Sequence, residues 1–424
     1  MASFEPDTYL DSLEPIGWRL GLERMYKLTT ALGLPQHRFA SIHVVGTNGK
    51  SSVARMTAAL LEAHGVGSGA CLSPHTDRWS ERTLIHGEEV DAGAWADAVQ
   101  RVAQAAEGVN RTLEEGEAVT QFDAATAATF VALASARVRA AAVEAGLGGR
   151  LDATNTIPSR VTVLTSIGLD HTDWLGETEL EIAAEKLAVL RDQTTLVLGR
   201  VSAEVAALAE RTAAERGARV VQAPEDPGPE LTVLAAGEFQ RRNFALARAA
   251  AEAFLGELDG ARVAEVAATV AVPGRLEQIA TEPPTYVDAA HNPDGAAALA
   301  EALPAIAAGR RVVGCLAILA DKDAEAMVRA LAPALERAVC TELPADGPKG
   351  HRMGDRSAHR PAVGAAELAA LCRRAGLEAE AEPDFEVAMA RATQLAAKLP
   401  PGAVVVAGSH YGIAPARAYA RIRA

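Results

Sequence analysis

The sequence predicts an α/β protein of two domains, each built on a parallel sheet with flanking helices. Three observations carry that expectation. Apolar, strand-like runs alternate with helix-like stretches from residue 39 onward, as βαβ units do. A Gly-rich turn, Gly46-Thr47-Asn48-Gly49-Lys50-Ser51, joins one such strand to one such helix. The alternation then restarts after Pro273-Gly274-Arg275. This places a domain boundary near 271–273, with a larger domain over 1–272 and a smaller one over 273–424.

In the first domain the expected strands are Ala40–Val45, Ala141–Ala145, Val161–Ile167, Thr195–Gly199 and Ala218–Val221. Each is a short apolar run, rich in β-branched residues in most cases and bounded by turn residues. Helices are expected between them, over Ala92–Ala106 and Ala124–Ala136 for example, and then over Phe244–Leu255 and Ala261–Thr269. In the second domain the expected strands are Tyr286–Ala289, Arg311–Leu316, Ala338–Thr341 and Ala403–Ala407, with helices at Ala296–Leu303 and Ala324–Leu331. The Pro/Gly/Asp-rich stretches Ala223–Pro229 and Pro344–Gly354 read as loops. No repeat at a fixed period is visible.

Composition narrows the function. The chain has 424 residues, 49% of them hydrophobic, enough to bury sizeable cores. Its net charge of −14 argues against a nucleic-acid or anionic-membrane partner, which would call for clustered Lys and Arg. A small anionic substrate in a local cationic pocket stays compatible. The four cysteines, Cys71, Cys315, Cys340 and Cys372, have no metal-ligand spacing and read as reduced thiols of a cytoplasmic protein. No run reaches the roughly 18 apolar residues of a membrane span, and no secretory leader pattern opens the chain.

Three clusters carry the chemistry. In strand–turn–helix context, Gly46–Ser51 is the arrangement that cradles phosphates. Backbone N–H groups and a helix N-terminus face the anion, Lys50 adds charge, and the Ser51 hydroxyl can hold Mg²⁺. The full Walker pattern needs Gly where Val44 stands, so this is a shortened form. A second cluster runs from Val143-Glu144 through the turn Gly146-Leu147-Gly148-Gly149-Arg150 to Asn155. Glu144, at a strand end, could hold Mg²⁺ opposite the phosphate loop. A third, Thr165-Ser166-Ile167-Gly168-Leu169-Asp170-His171-Thr172-Asp173 followed by Glu185-Lys186, offers oxygen and nitrogen ligands for a cation at another strand end, through Asp170, His171 and Asp173. Lys186, by helical pattern alone, is an ordinary surface lysine. The second domain adds Arg275, Asp288, His291-Asn292-Pro293, Asp321-Lys322-Asp323 and Ser409-His410-Tyr411, mostly polar residues after apolar strands.

Taken together, GTNGKSS, SPH, TQFD, EAGLGGRLDATN, TSIGLDHT, RRN, PGRLE, DAAHNP, DKD and GSHYG, in that order from about Leu20 to Tyr411, resemble the dihydrofolate synthase/folylpolyglutamate synthase family of the Mur-ligase superfamily. The resemblance implies an N-terminal phosphate-loop NTPase-like domain and a smaller C-terminal Rossmann-like glutamate-ligase domain. It implies an ATP-dependent amide ligase, in which a pteroate or folate carboxylate becomes an acyl phosphate that the amine of L-glutamate displaces. Burial between two domains would protect that intermediate from water. The implied ATP contacts are Thr47, Asn48, Gly49, Lys50, Ser51, Asn243, Arg275 and Asp288. The implied ligands of two Mg²⁺ sites are Ser51, Ser73, Glu144 and His171. Lys186 matches a lysine that the family carbamylates to N6-carboxylysine, and Lys50, Lys186, His171 and Arg275 form the implied catalytic set. Leu20, Gly21, Thr120, Gln121, Phe122, Asp123, Leu151, Asp152 and Ala153 match the pterin-substrate site. His291 and Ser409 match the glutamate side, and the family implies a monomer.

Several positions depart from the family pattern. Ser51, Ala145 and Ala289 stand where Gly, Val and Gly are common, and Thr76 stands for Leu. Ser51 keeps a metal-binding hydroxyl. Ala289 adds a methyl beside Asp288. Thr76, with Asp77-Arg78-Trp79, lies in a loop that bears on substrate preference. Two other readings share some features: a Mur-type ligase acting on a different carboxylate, and a non-catalytic ATP-binding regulator. The first would be expected to carry a long uridine-nucleotide domain before the phosphate loop. The second would not need polar strand ends in a second domain.

Overall fold

A computed structural model describes residues 4–14, 21–344 and 361–423. Leu20 and all but the first residue of the expected Pro344–Gly354 loop lie outside these residues. The chain divides into two compact units, one of residues 4–14, 21–234 and 241–270, the other of residues 235–240, 271–344 and 361–423.

The first unit holds an eight-stranded sheet. Its strands are β1 (Ala40–Val45), β2 (Ser68–Cys71), β3 (Thr83–Ile85), β4 (Glu88–Glu89), β5 (Ala140–Glu144), β6 (Ser159–Leu164), β7 (Thr195–Leu198) and β8 (Arg219–Gln222), in the order β4-β3-β2-β5-β1-β6-β7-β8. From β2 to β8 the pairing is parallel, while β3 and β4 add antiparallel at one edge. β1, buried in all but its first residue, lies between β5 and β6. The order in which strands are added to the parallel sheet reverses beside β1, and ligands of open α/β sheets bind at the carboxyl ends around such a point. Helices cover the sheet. One of them, Gln121–Ser135, is buried nearly all round. Its Ala-rich sequence lets it pack closely, and a capping box between Thr120 and Asp123 starts it.

The second unit is a six-stranded sheet of β9 (Glu277–Thr281), β10 (Pro284–Val287), β11 (Arg311–Leu316), β12 (Arg337–Cys340), β13 (Ala379–Ala381) and β14 (Gly402–Ala407), ordered β13-β12-β11-β14-β10-β9. All pairs are parallel except β9–β10. Separate apolar clusters line its two faces.

The expected strands all form, with ends shifted by a few residues. The outer ends of Val161–Ile167 and Tyr286–Ala289 leave the sheet, because Thr165–Ile167 and Asp288-Ala289 turn away to build loops. Five strands were not expected: β2, β3, β4, β9 and β13. Each is short or carries Gly or charge, so none shows an apolar run. The edge hairpin β3–β4 turns through His86 and Gly87, both at positive φ, which is the two-residue geometry whose twist suits a hairpin. Among the described residues no helix is long and apolar enough to cross a membrane, and the four cysteines are buried free thiols.

Candidate active site

The phosphate loop leaves the carboxyl end of β1 and enters the helix Lys50–Ala63 through Gly49 at φ +84°. A side chain at Gly49 would be strained, and its Cβ would stand 2.6 Å from Asn243 Oδ1, so Asn243 lies directly against the loop. The loop is docked on the segment after β6. Thr47 N–H donates to Ser166 O (2.8 Å), Gly168 N–H to Thr47 Oγ1 (3.1 Å), Asn48 N–H to Ser166 Oγ (3.1 Å) and Thr165 Oγ1 to Asn48 O (2.6 Å). Lys50 Nζ donates to Thr47 O at 3.1 Å. The helix N-terminus, with its unpaired N–H groups and positive dipole end, therefore meets a cationic side chain in a fixed loop.

Beside it, at the end of β5, Glu144 is 2% exposed. One carboxylate oxygen accepts from Ser51 Oγ (2.9 Å), the other from Ser73 N–H (2.8 Å), and Ser51 Oγ also reaches Ser73 O at 3.3 Å. Four neighbouring strands, β2, β5, β1 and β6, thus deliver their following residues to one place. A hydroxyl, a carboxylate and a carbonyl are hard oxygen donors, the set that Mg²⁺ takes. These residues fit that ion. Among the described residues, no group of three or more His, Cys, Asp or Glu gathers as a metal cage. His171, at φ +53°, has its N–H 3.0 Å from Asp170 Oδ1.

Lys186 is not the surface lysine of the helical pattern. It is 4% exposed, and Gly149 packs tightly on the backbone at this helix end: a Cβ there would lie 2.8 Å from Glu185 O and 2.9 Å from Lys186 O. Burial, followed by the Lys50 cation, pushes the Lys186 amine down to about 7, against the pull of Asp170, Asp152 and Glu185. A buried amine near neutrality is a nucleophile as well as a base.

Of the expected pterin residues, Gly21, Thr120, Phe122, Asp123 and Asp152 are linked by contacts, while Leu20 lies outside the described residues. Arg24 Nε donates to Asp123 Oδ2 at 3.1 Å, and Gly21 lies beside the Arg24 guanidinium. The Phe122 ring packs against Gly146, which has no room for a side chain. Gly146 opens the turn that Asp152 closes by accepting Leu147 N–H at 2.8 Å. Asp123 also accepts from Thr120 N–H and Oγ1, so its carboxylate is committed to these contacts.

In the second unit, Asp288 follows β10 and is 4% exposed. It accepts Leu276 N–H (2.9 Å) and Ala290 N–H (2.8 Å), tying the Arg275 turn to the Asp288–His291 loop. Burial raises its pKa, and Arg275 opposes that. His291 Nδ1 lies 2.9 Å from Ala289 O, and its ring is 6.4 Å from that of His410. Ser409 is buried after β14 and caps the turn at Tyr411. Arg275, Asp288, His291 and Ser409 thus form one end of this sheet.

Sequence reasoning left the parts played by four residues unassigned, Thr165 and Ser166 of the third cluster among them. Thr165 and Ser166 anchor the phosphate loop. Arg24 holds Asp123. Arg55, four residues after Ser51 on the same helix, is pulled below its ordinary pKa by burial, while Glu81 and Glu144 oppose that shift. A charged residue inside the amphipathic stretch Val53–Leu61 was the available signal for the last.

Residues 274–410 match the family model described as Mur ligase, glutamate ligase domain. The chain is 36% identical to the dihydrofolate synthase/folylpolyglutamate synthase of Mycobacterium tuberculosis, over 76% of this chain and 74% of that protein. Its fold is similar to a Mycobacterium tuberculosis folylpolyglutamate synthase complexed with ADP, at a TM-score of 0.86 and 31% identity, covering 97% of this chain and 96% of that one. It is also similar to the bifunctional folylpolyglutamate synthase/dihydrofolate synthase of Yersinia pestis complexed with AMPPNP and a Mn ion, at a TM-score of 0.80 and 28% identity, covering 97% and 96%.

Proposed function

The chain belongs to the dihydrofolate synthase/folylpolyglutamate synthase family, and from that membership we propose that it is an ATP-dependent ligase joining L-glutamate to dihydropteroate, to reduced folates, or to both. The observation that carries this reading is the oxygen cluster at the head of the phosphate loop, with Ser51 Oγ 2.9 Å from a buried Glu144. It supports our reading that a nucleotide's metal would bind beside the loop that would hold the phosphates.

The chemistry follows from what a carboxylate lacks. It is a poor acylating agent, so its oxygen attacks the γ-phosphorus, the bond to ADP breaks, and an acyl phosphate forms. The neutral amine of glutamate then attacks the acyl carbon, phosphate leaves, and one proton is lost as the amide forms. Thr47, Asn48, Gly49, Lys50 and Ser51 wrap the phosphates, and Lys50 stabilises charge spread over the transferring group. Ser51, Glu144 and Ser73 would hold a divalent ion that neutralises phosphate charge. We assign His171 and a carbamylated Lys186 to a second such site, and Asn243, Arg275 and Asp288 to the nucleotide. Gly21, Thr120–Asp123 and Leu151–Ala153 are assigned to the pterin substrate, and His291 and Ser409 to glutamate. The ligands are small molecules, the buried free thiols suit the cytoplasm, and the family resemblance favours a monomer.

A substrate panel tests this. Dihydropteroate and tetrahydrofolate, each with ATP and L-glutamate, are expected to yield a product heavier by one glutamyl residue from at least one of them, read by mass spectrometry. No product from either contradicts the assignment.

A further inference from the structure

His43 sits in the middle of β1, 0% exposed, where an aliphatic residue would bury at far lower cost. Its Nε2 is 2.9 Å from Thr154 Oγ1. Thr154 Oγ1 makes a short hydrogen bond to Asp152 Oδ1, which also accepts Thr154 N–H at 2.9 Å. The other oxygen of Asp152 accepts Leu147 N–H, inside the Gly146–Gly149 turn. Proton counting sets the direction of this chain. The Asp152 carboxylate only accepts, so Thr154 gives it its single hydroxyl proton. Thr154 Oγ1 must then accept from His43, which carries its proton on Nε2 and leaves Nδ1 bare. Burial, with the Arg191 cation, holds His43 neutral by pushing it down to about 3.

The surroundings agree that position 43 is selected for polarity. His43 pairs with Thr162, and Ser41 with Ser159, across β1 and β6. His43 Nδ1 and all three hydroxyls are buried without a protein hydrogen-bond partner. Such groups weaken a core, so a contribution elsewhere must offset them.

We infer that His43 is a positioning residue for the pterin substrate: its Nε2–H, relayed through Thr154, fixes the Asp152 carboxylate and with it the backbone of the Gly146–Gly149 turn. This rests on the assignment of Leu151–Ala153 to the pterin site. His43 itself touches no substrate.

Two readouts test it. In the wild-type protein with ¹⁵N-labelled histidine, His43 is expected to show the Nε2–H tautomer, with shifts constant between about pH 5 and 8; a His43→Gln spectrum assigns the signal. The Nδ1–H tautomer would overturn the relay. In kinetics, Thr154→Val removes the hydroxyl at nearly constant shape. It is expected to raise the pterin KM about tenfold, the effect of one lost buried hydrogen bond, with the ATP and glutamate KM unchanged. Thr154→Ser is expected to restore the wild-type value. An unchanged pterin KM, or an equal rise of all three KM values, would overturn the positioning role. Should Thr154→Val not fold, His43→Gln, which can still donate to Thr154, is compared with His43→Leu, and only the latter is expected to raise the pterin KM. If the wild type turns over no pterin, the functional assignment fails, and the tautomer still decides the relay.

Discussion

Lys50→Ala is expected to lower kcat by about a hundred- to a thousandfold, the usual cost of removing one preorganised charge from a transition state. Lys50 opens the helix Lys50–Ala63, directly after the left-handed Gly49. Its cation therefore adds to the positive end of the helix dipole at the point where phosphate oxygens would gather. The backbone N–H groups of the loop survive the substitution, so ATP binding should weaken far less than turnover. Lys50 makes one hydrogen bond to the loop, at Thr47 O, while Thr165, Ser166 and Gly168 make several, so the melting temperature should hardly move. Phosphate-release kinetics with calorimetric ATP binding separate the two effects. Near-normal kcat in a folded variant would remove Lys50 from the chemistry.

Lys186→Ala is expected to lower turnover about a hundredfold or more, with partial recovery when a short carboxylic acid such as acetate is supplied. Two cations, Lys50 and Lys186, repel each other in a poorly solvated place, and Lys186 responds by giving up its proton near pH 7. A neutral amine can add CO₂: its nitrogen bonds to the carbon, one proton leaves, and a carbamate anion results. That step converts a Lys50–Lys186 repulsion into an attraction and supplies an oxygen ligand. The sign of the pH dependence follows. The depressed pKa leaves the amine free above about pH 7, so carbamate-dependent activity is present there. It is lost as pH falls through that value and the ammonium forms. Full activity in Lys186→Ala, or no response to added acid, would exclude the carbamate.

The elements legible in the sequence were those whose physics is local. Ala40–Val45 and Arg311–Leu316 are β-branched runs and form as expected. The phosphate loop was legible because glycine at positive φ, a lysine and a helix start adjoin each other in the chain. β2, with the sequence Ser-Gly-Ala-Cys, was not, because its strand state depends on pairing with β5 and β3. The burial of Lys186 was hidden for a similar reason. Helical periodicity marks it as exposed, whereas its burial depends on chain segments distant in sequence, such as the Gly149 turn that packs on this helix end. The contacts of His43 with Thr154 and of Arg24 with Asp123 span 111 and 99 residues, and no local pattern announces them. The resemblance named these neighbourhoods, while the polar residues that brace them emerged only from the fold.

The most direct test of the ligase assignment is phosphate release from ATP by the wild-type chain, with and without L-glutamate, in the presence of dihydropteroate or tetrahydrofolate. The expected result is release that requires both the pterin and glutamate, one phosphate for each amide formed. ATP hydrolysis indifferent to both would contradict it.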